Sequence, residues 1–458
     1  MKEVDLVTER NTALADLITE AGISWAGLAK RINDLGADEG KALRYDYTAV
    51  HRWVNLGQKP RGITPTLICR VLSERLNGRR IRPADIGMEG FESLASRGLQ
   101  YPHDPESSLE TIRDLGAAYT SGQFSAPFIL AALAAPSRDW LLAMFEEVSS
   151  DRGPRAIGMH QVAGIRNMFS LFQEMDVMRG GGHARTALIS YMNTTVIPLI
   201  RREHEPDVQK ALYDAAAEQA YLIGWMAYDD GEHGLAQRYL IQALRLSQAA
   251  ENPILGAHVL AGMADQANLL GHSYEAVALA RAGLHGIAPE NSPACYADLS
   301  ILEARALAKL GEATAATKSI TRAERIFELV DHDAEPEWAR FIDRAYFYGE
   351  AAQIFRDLKQ PSEINRFATL SINECREQRR ARRGGLSQAA VAAAHIQNNE
   401  IEAAADRARV VVRLTSTVNS SRCLEAVTDL QRQLKPYTSV QQVQEFNLEA
   451  ANLLGLVA

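Results

Sequence analysis

Three glycines, Gly231, Gly271 and Gly311, stand forty residues apart, and their surroundings repeat with them. Gly224, Ala264 and Ala304 come seven residues before, Ala236, Ala276 and Ala316 five after, and Ala243, Gly283 and Ala323 twelve after. Two helices approach closely only where side chains are small, and a glycine lets the chain turn between them. One such hairpin cannot bury its apolar face alone, so neighbours must stack. The spacing therefore predicts an all-α chain built on a solenoid of helical hairpins, with pairs at 207–229/234–250, 254–270/273–285 and 294–310/313–331. Less regular pairs follow at 336–358/362–381, around Lys359-Gln360-Pro361, and at 386–397/400–417. In the latter, Ala392, Asn399 and Ala404 keep part of the register with Asn in the glycine's place. Helices at 420–434 and 438–456 close the array, the last as a cap.

The small residues at these three offsets resemble the tetratricopeptide repeat. The period is forty rather than about 34, so the helices or loops are longer. The resemblance implies a concave face lined by the first helix of each hairpin. Trp225, Tyr228, His258, Met263, Asn268 and Glu303 fall in that set. Asn can bind a peptide backbone and aromatics supply rigid contact area, so Trp225, Tyr228, His258 and Asn268 are the candidate ligand-binding residues. Packing between repeats is the alternative for each, and most plainly for Trp225.

At 458 residues, 47% of them apolar, the chain is long enough to bury a large repeat core. Cys69, Cys295, Cys375 and Cys423 are widely separated and form no metal-ligand pair, which fits a reducing cytoplasm. The longest apolar run, Phe128 to Ala135, is far short of a membrane span, and the acidic N-terminus has no export signal core. HExxH, CxxC and GxSxG motifs are absent, and Cys295 and His285 make no recognisable catalytic pair. Gly180-Gly181-Gly182 follows a helix of about 155–178 and precedes another at 183–203. With no preceding strand and no Lys-Ser/Thr after it, it reads as a turn and not as a phosphate loop. No enzyme activity, cofactor or metal is expected.

Net charge is −8, yet Lys41 to Arg82 holds ten Lys and Arg against Asp46 and Glu74. Such a local excess suits a phosphate backbone, or else a solvated basic face. Four helices are predicted there. Residues 8–21 place Leu14, Leu17, Ile18 and Ala21 on one face; Ser24 caps a second helix with Leu28, Ile32 and Leu35 inward, closed by Gly36. The third, from Tyr47, turns Val50 and Trp53 inward and Thr48, His51, Arg52 and Asn55 outward. The fourth opens at Thr64-Pro65.

This pattern, over about residues 8–88, resembles the helix-turn-helix domain of the lambda-repressor-like class. The segment SWAGLAKR matches the helix that crosses the backbone and YTAVHRW the recognition helix. The resemblance implies that Thr48, His51 and Arg52 reach base edges in a major groove, while Arg44, Lys59 and Arg61 on flanking loops meet phosphates. The connection between the second and third helices is about ten residues long, not a tight turn.

Beyond it, residues 89–138 read as a linker with one helix, at about 107–120, and 139–458 as the repeat domain. The basic run Arg376, Arg379, Arg380, Arg382 and Arg383, ended by Gly384-Gly385, reads as a solvated helix end where cations offset the dipole. The runs WVNLGQKPRG (53–62), RPADIGM (82–88), MRGGGHAR (178–185), YLIGWMAYDDGEHGLAQRY (221–239) and GAHVLAGMADQA (256–267) resemble actinobacterial regulators that join a helix-turn-helix to a tetratricopeptide-like array. More distantly the architecture is similar to peptide-sensing quorum regulators. These resemblances imply a homodimeric transcription factor that binds double-stranded DNA and senses a peptide or small molecule. The other reading is a repeat adaptor for protein partners, its N-terminal helices serving assembly.

Overall fold

The computed structural model describes residues 10–38, 43–60, 64–76, 79, 81, 83–88, 94–143, 159–179, 184–377, 380–418 and 420–455. Among them the regular structure is entirely helical. The chain divides into two compact units, residues 1–97 and 98–458.

In the first unit, α1 (Thr12–Glu20), α2 (Trp25–Asp38), α3 (Tyr47–Asn55) and α4 (Thr64–Arg75) surround one core of Leu14, Ile18, Leu28, Ile32, Val50 and Trp53, extended by Ile68 and Leu72. The starts of α1, α2 and α3 are each set by a short polar side chain, as orphan N–H groups require. Asn11 Oδ1 accepts from Leu14 N at 2.9 Å, Ser24 Oγ from Gly27 N at 3.1 Å and Asp46 Oδ1 from Ala49 N at 3.0 Å. Gly36 does not close α2, which runs on to Asp38. The long connection to α3 is held by α2 itself: Asn33 Nδ2 donates to the Tyr45 carbonyl and its Oδ1 accepts from Tyr45 N, both at 2.8 Å. A single turn, α5 (Leu94–Arg97), ends the unit.

The second unit opens with α6 (Pro105–Thr120), α7 (Ala134–Ala143) and α8 (Met159–Arg179). A rod of α9 (Arg185–Tyr191), a π turn at Met192–Val196 and α10 (Ile197–Ile200) follows. The expected glycine turn at 180–182 lies outside the described residues. Six hairpins come next: α11 (Pro206–Asp229) with α12 (His233–Ala249), α13 (Pro253–Leu269) with α14 (Ser273–Gly286), and α15 (Pro293–Lys309) with α16 (Ala313–Phe327). The last three are α17 (Arg344–Asp357) with α18 (Pro361–Glu377), α19 (Ala381–Gln397) with α20 (Ile401–Thr415), and α21 (Ser421–Leu434) with α22 (Gln441–Leu453). Each hairpin packs on the next as a helical solenoid. First helices of successive hairpins pack on one another along the whole array, whereas second helices do so closely only at α20 and α22. The first helices therefore form the inner face.

Five hairpin turns share one backbone solution. Gly231, Gly271, Gly311, Lys359 and Asn399 have φ of 79°, 86°, 79°, 57° and 60°. At each, two successive N–H groups return to carbonyls at the helix end, as Gly271 N to Asn268 O and His272 N to Ala267 O do. Asn399 thus stands where the register expects a glycine equivalent. Lys359 reveals the reason for the irregular fourth pair. It lies 48 residues after Gly311, and Asn399 a further 40 after it, so an insertion of eight separates two arrays in register. The insertion falls in the connection 328–343, which is why α17 begins at Arg344 and not at 336.

The connector expected at 89–138 is fastened to the array from Gly98 onward. Gln242 Nε2 donates to the carbonyls of Gly98 and Gln100 at 3.0 and 2.9 Å, and Arg245 to those of Pro102 and His103 at 2.7 and 2.5 Å. Gln237 pairs with both backbone groups of Ile129, at 2.7 and 2.8 Å. A segment without its own ladder must find such partners if it is to be buried.

Of the basic run at 376–383, Arg376 is exposed in the last turn of α18, as expected of a solvated helix end, and Arg379 lies outside the described residues, but Arg380 pairs with Asp343 at 2.8 Å. Arg382 and Arg383 sit in the first turn of α19 and are nearly buried, in ion pairs with Asp176 and Asp229, and with Glu350. Gly384 and Gly385 lie inside the helix, where a Cβ on either would meet Cys375, Leu414 or Cys423 at ordinary contact distance, 3.6 Å or more.

Candidate functional site

In the first unit, α3 turns Ala49, Val50, Trp53 and Val54 into the core, which leaves Thr48 and Arg52 exposed and His51 and Asn55 half-buried. Its N-terminus is rigidly built. Asp46 accepts from Ala49 N and from the Thr48 hydroxyl, the latter at 3.0 Å, and these bonds hold its carboxyl below the usual range. The rings of Trp25, on the first turn of α2, and Tyr47 lie 5.2 Å apart, and His51 meets Trp25 edge-on at 5.7 Å. Tyr47 is still 55% exposed. The Arg52 carbonyl accepts from Leu56 N and Gln58 N, which shapes the loop toward exposed Lys59. Arg44, before α3, is exposed as well. Arg61 lies outside the described residues. Part of the basic excess is neutralised locally, since Arg70 pairs with Glu74 and Arg79 with Glu20.

In the second unit the inner face is arranged in rows, because equivalent positions of stacked hairpins lie side by side. Six residues before the first four hairpin turns come Trp225, Asp265, Arg305 and Gln353; thirteen before come Glu218, His258, Asp298 and Tyr346. The first row carries ion pairs: Arg305 reaches Asp265 at 2.9 Å and Glu350 at 2.6 Å, and Arg383 reaches Glu350 at 2.6 Å. Burial would raise the Glu350 carboxyl, but the two guanidiniums outweigh it and hold it down at about 2. In the second row the Tyr346 hydroxyl donates to Asp298 at 2.7 Å, and burial pushes Asp298 up to about 7.

Of the predicted ligand residues, Trp225 and Tyr228 pack together, their rings 5.1 Å apart, and His258 is joined to Trp225 through Tyr221 and Phe341, whose rings lie near both. Arg422 stacks over both Trp225 and Tyr228 with its guanidinium 5.0 Å from each ring centre. The Tyr228 hydroxyl donates to Asp265 at 3.1 Å. His258 is fully buried, with neither ring nitrogen hydrogen-bonded, and desolvation lowers its pKa to about 3. Asn268 stands apart, its side chain bonded to Ser273 and its carbonyl to Lys309. Met263 is buried, and Glu303 takes Arg281, Arg322 and Ser319.

Sequence reasoning named Glu303 but missed Asp265, Arg305, Glu350 and Arg422, and it missed Trp338. The rows contained a signal for the charges: a polar residue recurring at a fixed offset among small residues marks an inner position. Trp338 carried no such signal, since it lies in the insertion. Its ring stacks on His258, 4.7 Å between centres, and is 4% exposed.

These two units define an all-helical chain with a four-helix N-terminal unit and a stacked helical-hairpin array. Within the N-terminal unit, the family model described as the SP15 N-terminal domain matches residues 14–89. No curated protein matches the chain. Among the described residues, no helix is long and apolar enough to cross a membrane, and no group of three His, Cys, Asp or Glu is placed to hold a metal ion.

Proposed function

We propose that the chain is a cytoplasmic, sequence-specific DNA-binding regulator, in which the first unit acts as a helix-turn-helix reader and the repeat array senses a peptide or small molecule and carries the homodimer contact. The observation that supports this best is α3. It is a short, capped helix that exposes Thr48 and Arg52 along one side while its other side is locked into a core, with exposed Arg44 and Lys59 at its two ends. A helix of that form enters a major groove, its side chains reading bases and the flanking cations meeting phosphates. Control of DNA binding then requires a ligand that prefers one of two protein states.

The test is a gel shift on duplexes from the promoter region of the protein's own gene. Binding should weaken steeply with salt, by about 0.9 log units per log unit of salt for each phosphate contact. Arg52→Ala should flatten the preference between duplexes, and Lys59→Ala should weaken all of them alike. If no duplex binds in a salt-sensitive way, the N-terminal helices serve assembly and the chain is a repeat adaptor.

A further inference from the structure

The inner face of the array is already occupied. Connections between hairpins elsewhere are brief, at 250–252, 287–292 and 416–420, but that between α16 and α17 spans 328–343 and holds the eight-residue insertion. Long connections in compact folds usually do something besides connect, and in repeat proteins insertions map to loops on one face, often the binding face.

This one runs across the first helices. Glu335 accepts from Ala294 N at 2.8 Å and from the Ser292 hydroxyl at 2.5 Å, at the start of α15. Trp338 stacks on His258 of α13. Phe341 lies 6.5 Å from Trp225 on α11 and 5.4 Å from Tyr346 on α17. From the other side, α8 reaches it through Gln173, which donates to the Trp338 carbonyl at 3.3 Å, and through Ser170, which bonds Glu337. So one segment, with a 3-10 turn at Glu337–Ala339 in its middle, is held by a helix-start acid site, an aromatic slot and a backbone donor, each on a different element.

We propose that residues 335–342 are a built-in stand-in for the ligand, and that the inner face binds a short acidic peptide carrying a tryptophan, the chemistry of Glu335-Pro336-Glu337-Trp338. The incoming tryptophan takes the place of Trp338 on His258, its carboxylate takes the place of Glu335 at Ser292 and Ala294, and the displaced strap reports occupancy. His258 suits this slot because its buried ring already lies face to face with the Trp338 indole, 4.7 Å between centres, and against Phe341 at 5.7 Å. The inference rests on the reading of the array as a sensor, and not on DNA binding.

The experiment uses the full chain and a fluorescein-labelled synthetic peptide of residues 331–343, followed by fluorescence anisotropy without DNA. Trp338→Ala, which empties the slot while leaving the strap, should bind the peptide at least about tenfold more tightly than the unaltered chain, because the internal competitor is gone. A peptide with alanine in place of its tryptophan should not bind. Equal binding to both chains, or none to a Trp338→Ala chain with unaltered helicity, overturns the proposal. Should Trp338→Ala fail to fold, Gln173→Ala is followed by hydrogen exchange. Exchange of 335–342 as a unit, ahead of α13 and α15, supports a displaceable strap. Exchange only together with those helices makes it core and overturns the proposal. Because no DNA is present, a failed gel shift and a failed peptide titration are separate results.

Discussion

Arg422 Nε donates to Asp229 Oδ1 at 2.7 Å, although the two lie 193 positions apart in sequence. Arg382 Nη1 donates to the other oxygen at 2.8 Å and the Ser420 hydroxyl to the first at 3.0 Å. A fully buried carboxylate thus ties the end of α11 to the starts of α19 and α21, and through Arg382 to Asp176 of α8. Burial alone would raise its pKa; the two guanidiniums outweigh that and hold it well below the usual carboxylate range.

Asp229→Ala leaves two buried guanidiniums short of a partner. Breaking a buried pair from one side costs about 3–5 kcal/mol, and urea unfolding should show a loss of that size. The pH sign follows from the depressed pKa. The contribution of Asp229 is present above its unfolded value, near 3.8, and is lost as pH falls below it.

Glu218 has the opposite sign. Burial raises its carboxyl to about 8, with Arg166 only partly opposing. Between its unfolded value of 4.5 and about 8 the folded chain keeps a proton that the unfolded chain has released, so stability falls as pH rises through that window. Glu218→Gln should remove on the order of 2–4 kcal/mol of the difference between pH 5.5 and 8.5, measured by denaturant unfolding at both values.

The turn glycines allow a clean test of backbone strain. A Cβ on Gly271 would meet nothing within 4 Å, so only its φ of 86° opposes a side chain. Gly271→Ala should cost about 1–2 kcal/mol. Lys359→Gly, at a φ of 57°, should stabilise by a similar amount less the entropy glycine adds to the unfolded chain. Thermal melts of the two variants should shift in opposite directions.

Asn33 makes both hydrogen bonds that hold Tyr45, and with it the entry to α3. Asn33→Ala should destabilise the first unit by about 1–3 kcal/mol, and faster hydrogen exchange should appear at residues 43–47 before it appears in α1.

Much of the fold was legible because its information is local. The side of α3 that packs inward is fixed by Val50, Trp53 and Val54 at helical spacing, and hairpin turns by residues that tolerate positive φ. Asn399 could be placed by register alone. The candidate ligand residues were legible only as members of an inner face. That Trp225 meets Tyr228, and His258 only through Tyr221 and Phe341, while Asn268 lies elsewhere, depends on which side of each helix the neighbouring repeats cover.

Gly36 and the pair Gly384-Gly385 show the limit of local punctuation. All three read as stops, yet each lies within a helix, because packing of the neighbouring turns outweighs the roughly 1 kcal/mol that glycine costs there. Arg382 and Arg383 show a second limit. A run of arginines before two glycines looks like a solvated end whenever its partners are unseen, and those partners sit on α8, α11 and α17.

Residue order by itself determined the helical class, the forty-residue register and the inward sides of the N-terminal helices, since each follows from spacing within a few turns of chain. Only the tertiary structure decided that Asp229 would meet Arg422, and that the 328–343 insertion would lie across the inner face with Trp338 on His258. Those contacts depend on the small rotation between successive hairpins. It accumulates over the array, and no single repeat encodes the sum.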